Sequence, residues 1–197
     1  MIKAIIFDFC GPIMALDDEA IYRKHEVKRS LETDSLYNLM DEFFHGANLG
    51  EYKDIFDFYK KTKPSINLTV GELNEILQEV NSTLRIRPEM INYIKILKKK
   101  YKIAILSNFA AGLEKLLNDV LNIYHLFDVV VSSYDLRIGK PNPEIYYHTL
   151  EKLNVKPEEA VFIDDMERNT EAAEKLGIKS IRFQDFSQLK EDLSKIL

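Results

Sequence analysis

A chain of 197 residues is long enough for one sizeable core, or a core with a small second unit. Hydrophobic residues at 46% and charged residues at 30% place it among ordinary globular proteins rather than disordered or fibrous chains. A net charge of -5 offers no basic surface to nucleic acid, one cysteine excludes an internal disulfide framework and a multi-cysteine zinc site, and no apolar run reaches membrane-spanning length. The N-terminal apolar run meets Asp8 too soon for a signal peptide. The expectation is a cytoplasmic protein in a reducing compartment, monomer or homodimer, with neither nucleic-acid nor membrane partner.

The first predicted element is an apolar run, Ile5-Ile6-Phe7, that stops at Asp8 before the turn Phe9-Cys10-Gly11-Pro12. It predicts a buried parallel strand presenting Asp8 at its carboxyl end, the side where ligand crevices of open α/β sheets lie. Asp8 there either faces such a crevice or caps the next helix. From 14 to 87 the chain reads as wholly helical. Leu36, Leu39, Met40, Phe43 and Phe44 recur at helical spacing, with Gly46 as the expected stop. Tyr52, Ile55, Phe56 and Tyr59 form a second stripe before Pro64. Thr69-Val70-Gly71-Glu72 is a capping box ahead of Leu73, Ile76, Leu77 and Val80. Phe43, Phe44, Phe56 and Tyr59 are expected in the core of this helical segment, with a pocket or dimer contact as the alternative. Arg23, Lys24, Lys28 and Arg29 read as a solvated face that could also meet an anionic substrate. His25, His45, His125 and His148 sit in no motif.

Pro88 opens a further helix carrying Met90, Ile91, Ile94 and Leu97, and Lys98-Lys99-Lys100 suit its negative end. A strict alternation follows: strand 103–106 and helix 111–124, strand 129–131 and helix 142–154, strand 160–163 and helix 168–176, strand 180–183 and helix 186–196. Asn142 and Pro143 start the second of these helices and Gly177 ends the third. Repeated strand–helix units predict an α/β fold, a doubly wound parallel sheet with helices on both faces.

The early strands end in polar groups: Asp8, Ser107-Asn108 and Asp164-Asp165, with Lys140 in the loop Gly139-Lys140-Pro141-Asn142-Pro143. In a parallel sheet these ends share one edge. Each alone reads as a helix cap, a turn or a surface lysine; together they read as one site. Clustered carboxylates need a cation, and hard oxygen ligands select magnesium, which favours one or two carboxylates plus substrate phosphate. Beside such a cation Asp8 can attack phosphorus, Lys140 can neutralise charge, and Ser107 can bind phosphoryl oxygens.

These segments resemble the four motifs of the haloacid dehalogenase-like (HAD) hydrolase superfamily, in its helical-cap branch, over the whole chain. Ile5-Ile6-Phe7-Asp8-Phe9-Cys10-Gly11 is similar to the first motif, Leu106-Ser107-Asn108 to the second, and Gly139 to Tyr146 to the third. Val161-Phe162-Ile163-Asp164-Asp165, with Asn169 and Ala172-Ala173, is similar to the fourth. The resemblance implies a Rossmann-like core over 1–13 and 88–197 with a helical cap over 14–87. It implies Asp8 and Lys140 as catalytic residues, and Ser107, Asn108 and Lys140 as substrate contacts. Mg2+ would be held by Asp8, the main-chain carbonyl of Cys10 and Asp165, with Asp164 acting directly or through water. Asn169 would support the fourth loop. The implied partner is a small phosphorylated molecule.

The chain departs from the family's phosphatases at Cys10, where they carry a second aspartate that protonates the leaving oxygen and later activates water. General acid–base help of this kind is worth roughly 10²–10⁴-fold. Three readings follow: a slowed magnesium-dependent phosphatase working through an aspartyl-phosphate, a non-catalytic phospho-ligand binder that keeps the pocket, or a dehalogenase or phosphonate hydrolase. The pair Asp164-Asp165 speaks against a dehalogenase, which uses no metal. Lys24 and Lys28 match no motif that would supply a phosphonate hydrolase's Schiff-base lysine. The phosphatase is the expectation.

Overall fold

The structure is a computed structural model describing residues 1–197. The chain opens with β1 (Ala4–Phe7), buried at all four residues. It leaves through a short strand β2 (Met14–Ala15), makes four helices, α1 (Asp18–Arg29), α2 (Ser35–Asn48), α3 (Ile55–Thr62) and α4 (Val70–Ser82), and returns through β3 (Arg85–Ile86). β2 and β3 pair antiparallel, Met14 opposite Ile86 and Ala15 opposite Arg85. The segment is therefore not wholly helical. Outgoing and returning chains lie side by side, and their backbone groups satisfy one another there. Two-residue strands are too short for periodicity to register.

The helices α1 to α4 bury their apolar stripes in a cluster of their own, built on Leu36, Met40, Phe58, Leu73 and Ile76 among others. The capping box at Thr69 and Glu72 forms as expected. Two expectations fail. Gly46 does not stop α2, which runs on to Asn48; the left-handed turn falls at Gly50, with φ 74°. Gly46 is instead packed against Tyr52, whose ring leaves no room for a side chain there. Phe56 is exposed, and Phe58 is the buried aromatic of α3. α3 starts at Ile55, so Phe58, three positions on, shares its buried face while Phe56 turns away. Phe58 meets the rings of Phe43 and Tyr52 edge-on, at 5.5 Å and 5.1 Å.

α2 has no cap from its own Asp34. Buried Glu26 of α1 takes that place: its carboxylate accepts from Leu36 N–H at 2.8 Å and from Asp34 N–H at 3.1 Å. The basic residues of α1 are largely paired, Lys24 and His25 with Glu79 and Arg29 with Glu72, so they fasten α1 to α4.

The rest of the chain is α5 (Pro88–Leu97), β4 (Lys102–Ser107), α6 (Leu113–Lys115), β5 (Val129–Ser132), α7 (Ser133–Leu136), α8 (Pro143–Leu153), β6 (Ala160–Asp164), α9 (Glu167–Lys175), β7 (Lys179–Arg182) and α10 (Phe186–Ile196). The helix expected over 111–124 is broken: α6 passes into a π-helical stretch, Leu116–Val120, and Asn122 turns left-handed at φ 51°. That turn lets Ile123 and Leu126 return to the core beside Leu113 and Leu117. No helix is long and apolar enough to cross a membrane.

The five long strands form one parallel sheet in the order β5-β4-β1-β6-β7. Alternate residues face opposite sides, so Ile5 and Phe7 pack towards α5, α6 and α10. Ala4 and Ile6 pack towards α8 and α9. Both faces are covered, which is why the strands read as unbroken apolar runs. From β1 the chain steps outward to β4 and β5, then crosses back to β6. The strand order thus reverses beside β1, where open α/β sheets hold their ligands.

Candidate active site

Asp8 follows β1 directly, and its N–H donates to Ile163 O at 2.8 Å. The central strand and β6 therefore end level, and Asp8 lies beside Asp164. Lys140 Nζ sits between them, 3.0 Å from Asp8 Oδ1 and 2.7 Å from Asp164 Oδ2. The lysine side chain is 1% exposed, so both ion pairs are screened from water. Carboxylate oxygens of Asp8, Asp164 and Asp165 all lie within 4.8 Å of one another.

The two neighbouring acids differ in what they bind. Asp164 receives Asn169 Nδ2 at 3.0 and 3.1 Å, Met166 N–H at 2.8 Å, and Lys140. Its oxygens are taken up in aiming the lysine. Asp165 lies against Gly11, whose φ is 95°; a Cβ there would come within 2.6 Å of the Asp165 carboxyl carbon. Glycine at 11 therefore serves both the left-handed turn and the close approach of Asp165.

Asn108 lies one residue past β4, but its side chain is spent on the Lys140 main chain. Lys140 N–H donates to Oδ1 at 2.7 Å and Nδ2 donates to Lys140 O at 2.8 Å. The amide of Asn108, expected as a substrate contact, holds the lysine loop. Ser107 is fully buried, and its hydroxyl lies beside Asp8 without completing a hydrogen bond. A buried hydroxyl without a partner costs about 1–3 kcal/mol, which a ligand oxygen would relieve.

Burial raises the Asp8 carboxyl from 3.8 to about 7; Lys140 opposes the shift and the Asp164 charge adds to it. Burial and then Asp164 raise Asp165 as well. Burial works against the Lys140 ammonium, but Asp8 and Asp164 outweigh it and hold the lysine above its ordinary value. Burial, then the charge of Asp8, pushes the Cys10 thiol well above the ordinary thiol range. It stays protonated at neutral pH and offers no base. Three carboxylates thus face one ammonium. Such a set of hard oxygen donors, with two members raised by burial and mutual repulsion, fits a small divalent cation.

A cleft of about 250 Å³ opens beside the Lys140 loop, between His45 and Asn48 of α2 on one side and Asn108, Arg137 and Asn142 on the other. Lys140 lines this cleft and carries its ammonium to the carboxylate cluster, while Asn108 lines the cleft and holds the Lys140 main chain.

The family model for haloacid dehalogenase-like hydrolases matches residues 2–177. The chain belongs to the haloacid dehalogenase-like hydrolase family. This HAD-like hydrolase is 31% identical over 193 residues to a phosphorylated carbohydrates phosphatase of Thermotoga maritima, across 91% of this chain and 83% of that protein. It is 29% identical over 201 residues to a glyceraldehyde 3-phosphate phosphatase of Methanopyrus kandleri, across 93% of this chain and 84% of that one. Among solved structures, a mutant HAD family enzyme of Bacteroides thetaiotaomicron, in complex with magnesium and inorganic phosphate, superposes with a TM-score of 0.69. It is 22% identical and covers 96% of this chain and 99% of its own, a likeness of fold.

Sequence reasoning missed several residues that shape the hydrolase's site. Tyr146 O–H donates to Asn169 O at 2.9 Å and so steadies the residue that aims Asp164. Arg87 Nε donates to Gly11 O at 3.1 Å and pins the first loop. Ser132 and Ser133, at the end of β5, bind the main chain of Phe109. The serines follow the same rule of polar groups at strand ends and were findable by it; Tyr146 and Arg87 carry no local signal.

Proposed function

We propose that this HAD-like hydrolase is a magnesium-dependent phosphatase that removes phosphate from a small phosphorylated sugar or related metabolite. The observation that carries the reading is the meeting of Asp8, Lys140, Asp164 and Asp165 at the reversal point of the sheet. The substrate class follows the Thermotoga maritima and Methanopyrus kandleri relatives, whose names specify phosphorylated carbohydrates and glyceraldehyde 3-phosphate.

In this reading Asp8 is the nucleophile. One of its carboxylate oxygens forms a bond to phosphorus while the bond from phosphorus to the leaving oxygen breaks, leaving an aspartyl-phosphate. Water then attacks phosphorus, phosphate departs and the Asp8 carboxylate is restored. Lys140 offsets negative charge on Asp8 and on the phosphoryl oxygens, and the free hydroxyl of Ser107 donates to one of those oxygens. Asp164 and Asn108 hold Lys140 in place. Asp8, the main-chain carbonyl of Cys10 and Asp165 would hold Mg2+. When bound, the cation screens the phosphoryl charge from the attacking carboxylate. The helices of 14–87 act as a cap over the core formed by 1–13 and 88–197, and the cap selects the leaving group.

Cys10 is poorly suited to protonate the leaving oxygen or activate water, so good leaving groups should be favoured. The test is phosphate release from a panel of sugar phosphates and an acyl phosphate, with and without Mg2+. Turnover is expected with Mg2+ and is lost in Asp8→Asn. A wild-type protein that binds phosphate or a metal-fluoride mimic without turnover would be a phospho-ligand binder, the reading that Cys10 favours.

A further inference from the structure

The last residue of α2 and the one after it are fastened to the segment that follows β5 through their main-chain carbonyls, Asn48 O and Leu49 O. Ser133 Oγ donates to Asn48 O at 2.7 Å and accepts from Phe109 N–H at 3.2 Å. Ser132 Oγ donates to Phe109 O at 3.0 Å. Phe109 lies two residues past Ser107, the last residue of β4, in the loop that Asn108 begins, so the fully buried Ser133 hydroxyl touches both the helical segment and the loop beside Asp8.

Arg137 makes a second tie of a different kind. Its Nη1 donates to Leu49 O at 2.9 Å, and its guanidinium lies 4.4 Å from the centre of the Tyr134 ring. It rests over Gly50, where any side chain would take its place. Arg137 grips the helical segment, but its hydrogen bond does not run on to the loop after β4.

A hydroxyl has one proton to give and two lone pairs to receive with. With the proton directed at Asn48 O, the lone pairs are turned towards Phe109 N–H, and the two bonds polarise one another. If α2 withdrew, the hydroxyl would be free to rotate and the bond to Phe109 would weaken. Carbonyls at a helix end have no partner within the helix, so Asn48 O is available for this use. The antiparallel ribbon β2–β3 joins helical segment and core through the chain itself, and the contact at Asn48 to Gly50 lies at another point.

We propose that Ser133 is a positioning residue: it couples seating of the helical segment to the shape of the loop Asn108-Phe109 that follows Ser107 at the end of β4. The proposal deepens the phosphatase reading and rests on it for its catalytic consequence. Its structural half does not.

The experiment compares wild type, Ser133→Ala and Arg137→Ala by hydrogen exchange and by kinetics. In Ser133→Ala, exchange should quicken in both 46–52 and 107–111. In Arg137→Ala it should quicken in 46–52 alone. The kcat of Ser133→Ala should fall about 10-fold for a sugar phosphate, the rate equivalent of about one hydrogen bond, and less than about 2-fold for acetyl phosphate, whose small leaving group needs no seated cap. A merely structural role would lower both substrates alike, together with the folded fraction. Unchanged exchange in 107–111 on loss of the hydroxyl would overturn the proposal, as would Arg137→Ala loosening both segments. If Ser133→Ala does not fold, Ser133→Cys keeps the size with a weaker donor and is read in the same way. If wild type hydrolyses neither compound, the phosphatase reading falls, while the exchange data still decide the role of Ser133.

Discussion

Replacing Lys140 with methionine would leave the carboxylates of Asp8 and Asp164 side by side with no cation between them. The lysine side chain is 1% exposed and its ammonium lies 3.0 Å and 2.7 Å from the two acids. Methionine has a similar length and is apolar, so the contact with the Phe162 ring is kept and the loss is electrostatic. Breaking a buried ion pair by removing one partner costs about 3–5 kcal/mol. For a chain of this length that is a fall in melting temperature of roughly 6–20 °C. The cost depends on pH. Asp8 is raised from 3.8 to about 7, so in the metal-free protein its contribution to stability is fully present below about pH 4 and is lost as pH rises through 7. Without Lys140 the carboxyl rises further. At pH 5 Asp8 is protonated in both proteins and only the loss of the Lys140–Asp164 pair remains; at pH 8 the Asp8 pair is lost as well, so the difference should be larger there. The assay is thermal unfolding of both proteins in chelator at the two pH values. Equal differences at pH 5 and pH 8, or a difference below about 1 kcal/mol at pH 8, would refute the placement of the lysine between two buried acids.

Gly11→Ala should weaken Mg2+ binding in a calorimetric titration by about tenfold or more, because the new Cβ displaces the Asp165 carboxyl; the left-handed alanine alone costs only about 1–2 kcal/mol of stability. Undiminished Mg2+ affinity would show that Asp165 holds no metal. Cys10→Asp should raise turnover by up to roughly 10²–10⁴-fold, most for poor leaving groups, in a steady-state comparison of an alkyl and an aryl phosphate. No gain would mean that the missing acid does not limit the rate. Glu26→Ala should destabilise the protein by about 1–3 kcal/mol in urea, since it strips the first turn of α2 of its acceptor, with Glu26→Gln milder. A midpoint equal to wild type would show that water caps that turn equally well.

The five parallel strands and most of the helices between them were legible because each rests on a run of neighbouring residues. The helix expected over 111–124 was not, since the chain breaks it so that Ile123 and Leu126 can return to the core. Ile5-Ile6-Phe7 before Asp8, and Val161-Phe162-Ile163 before Asp164, carry apolar runs and acidic stops within a few positions of one another. Once the strands are parallel and joined through helices, every carboxyl end must lie on one edge, so Asp8, Ser107, Lys140, Asp164 and Asp165 could be grouped from the linear chain. What each member does could not be read that way. Tertiary contacts decide that Asp164 is saturated by Lys140, Asn169 and Met166, and that the Asn108 amide serves the Lys140 main chain. They also decide that Glu26 caps a helix other than its own, and that Ser133 reaches a carbonyl 85 positions away. A polar side chain's choice of partner is set by what the fold brings within about 3 Å of it, and neither period nor propensity encodes that neighbour. Local pattern determined the scaffold and the residues that meet; only the folded chain decided which oxygen each nitrogen holds.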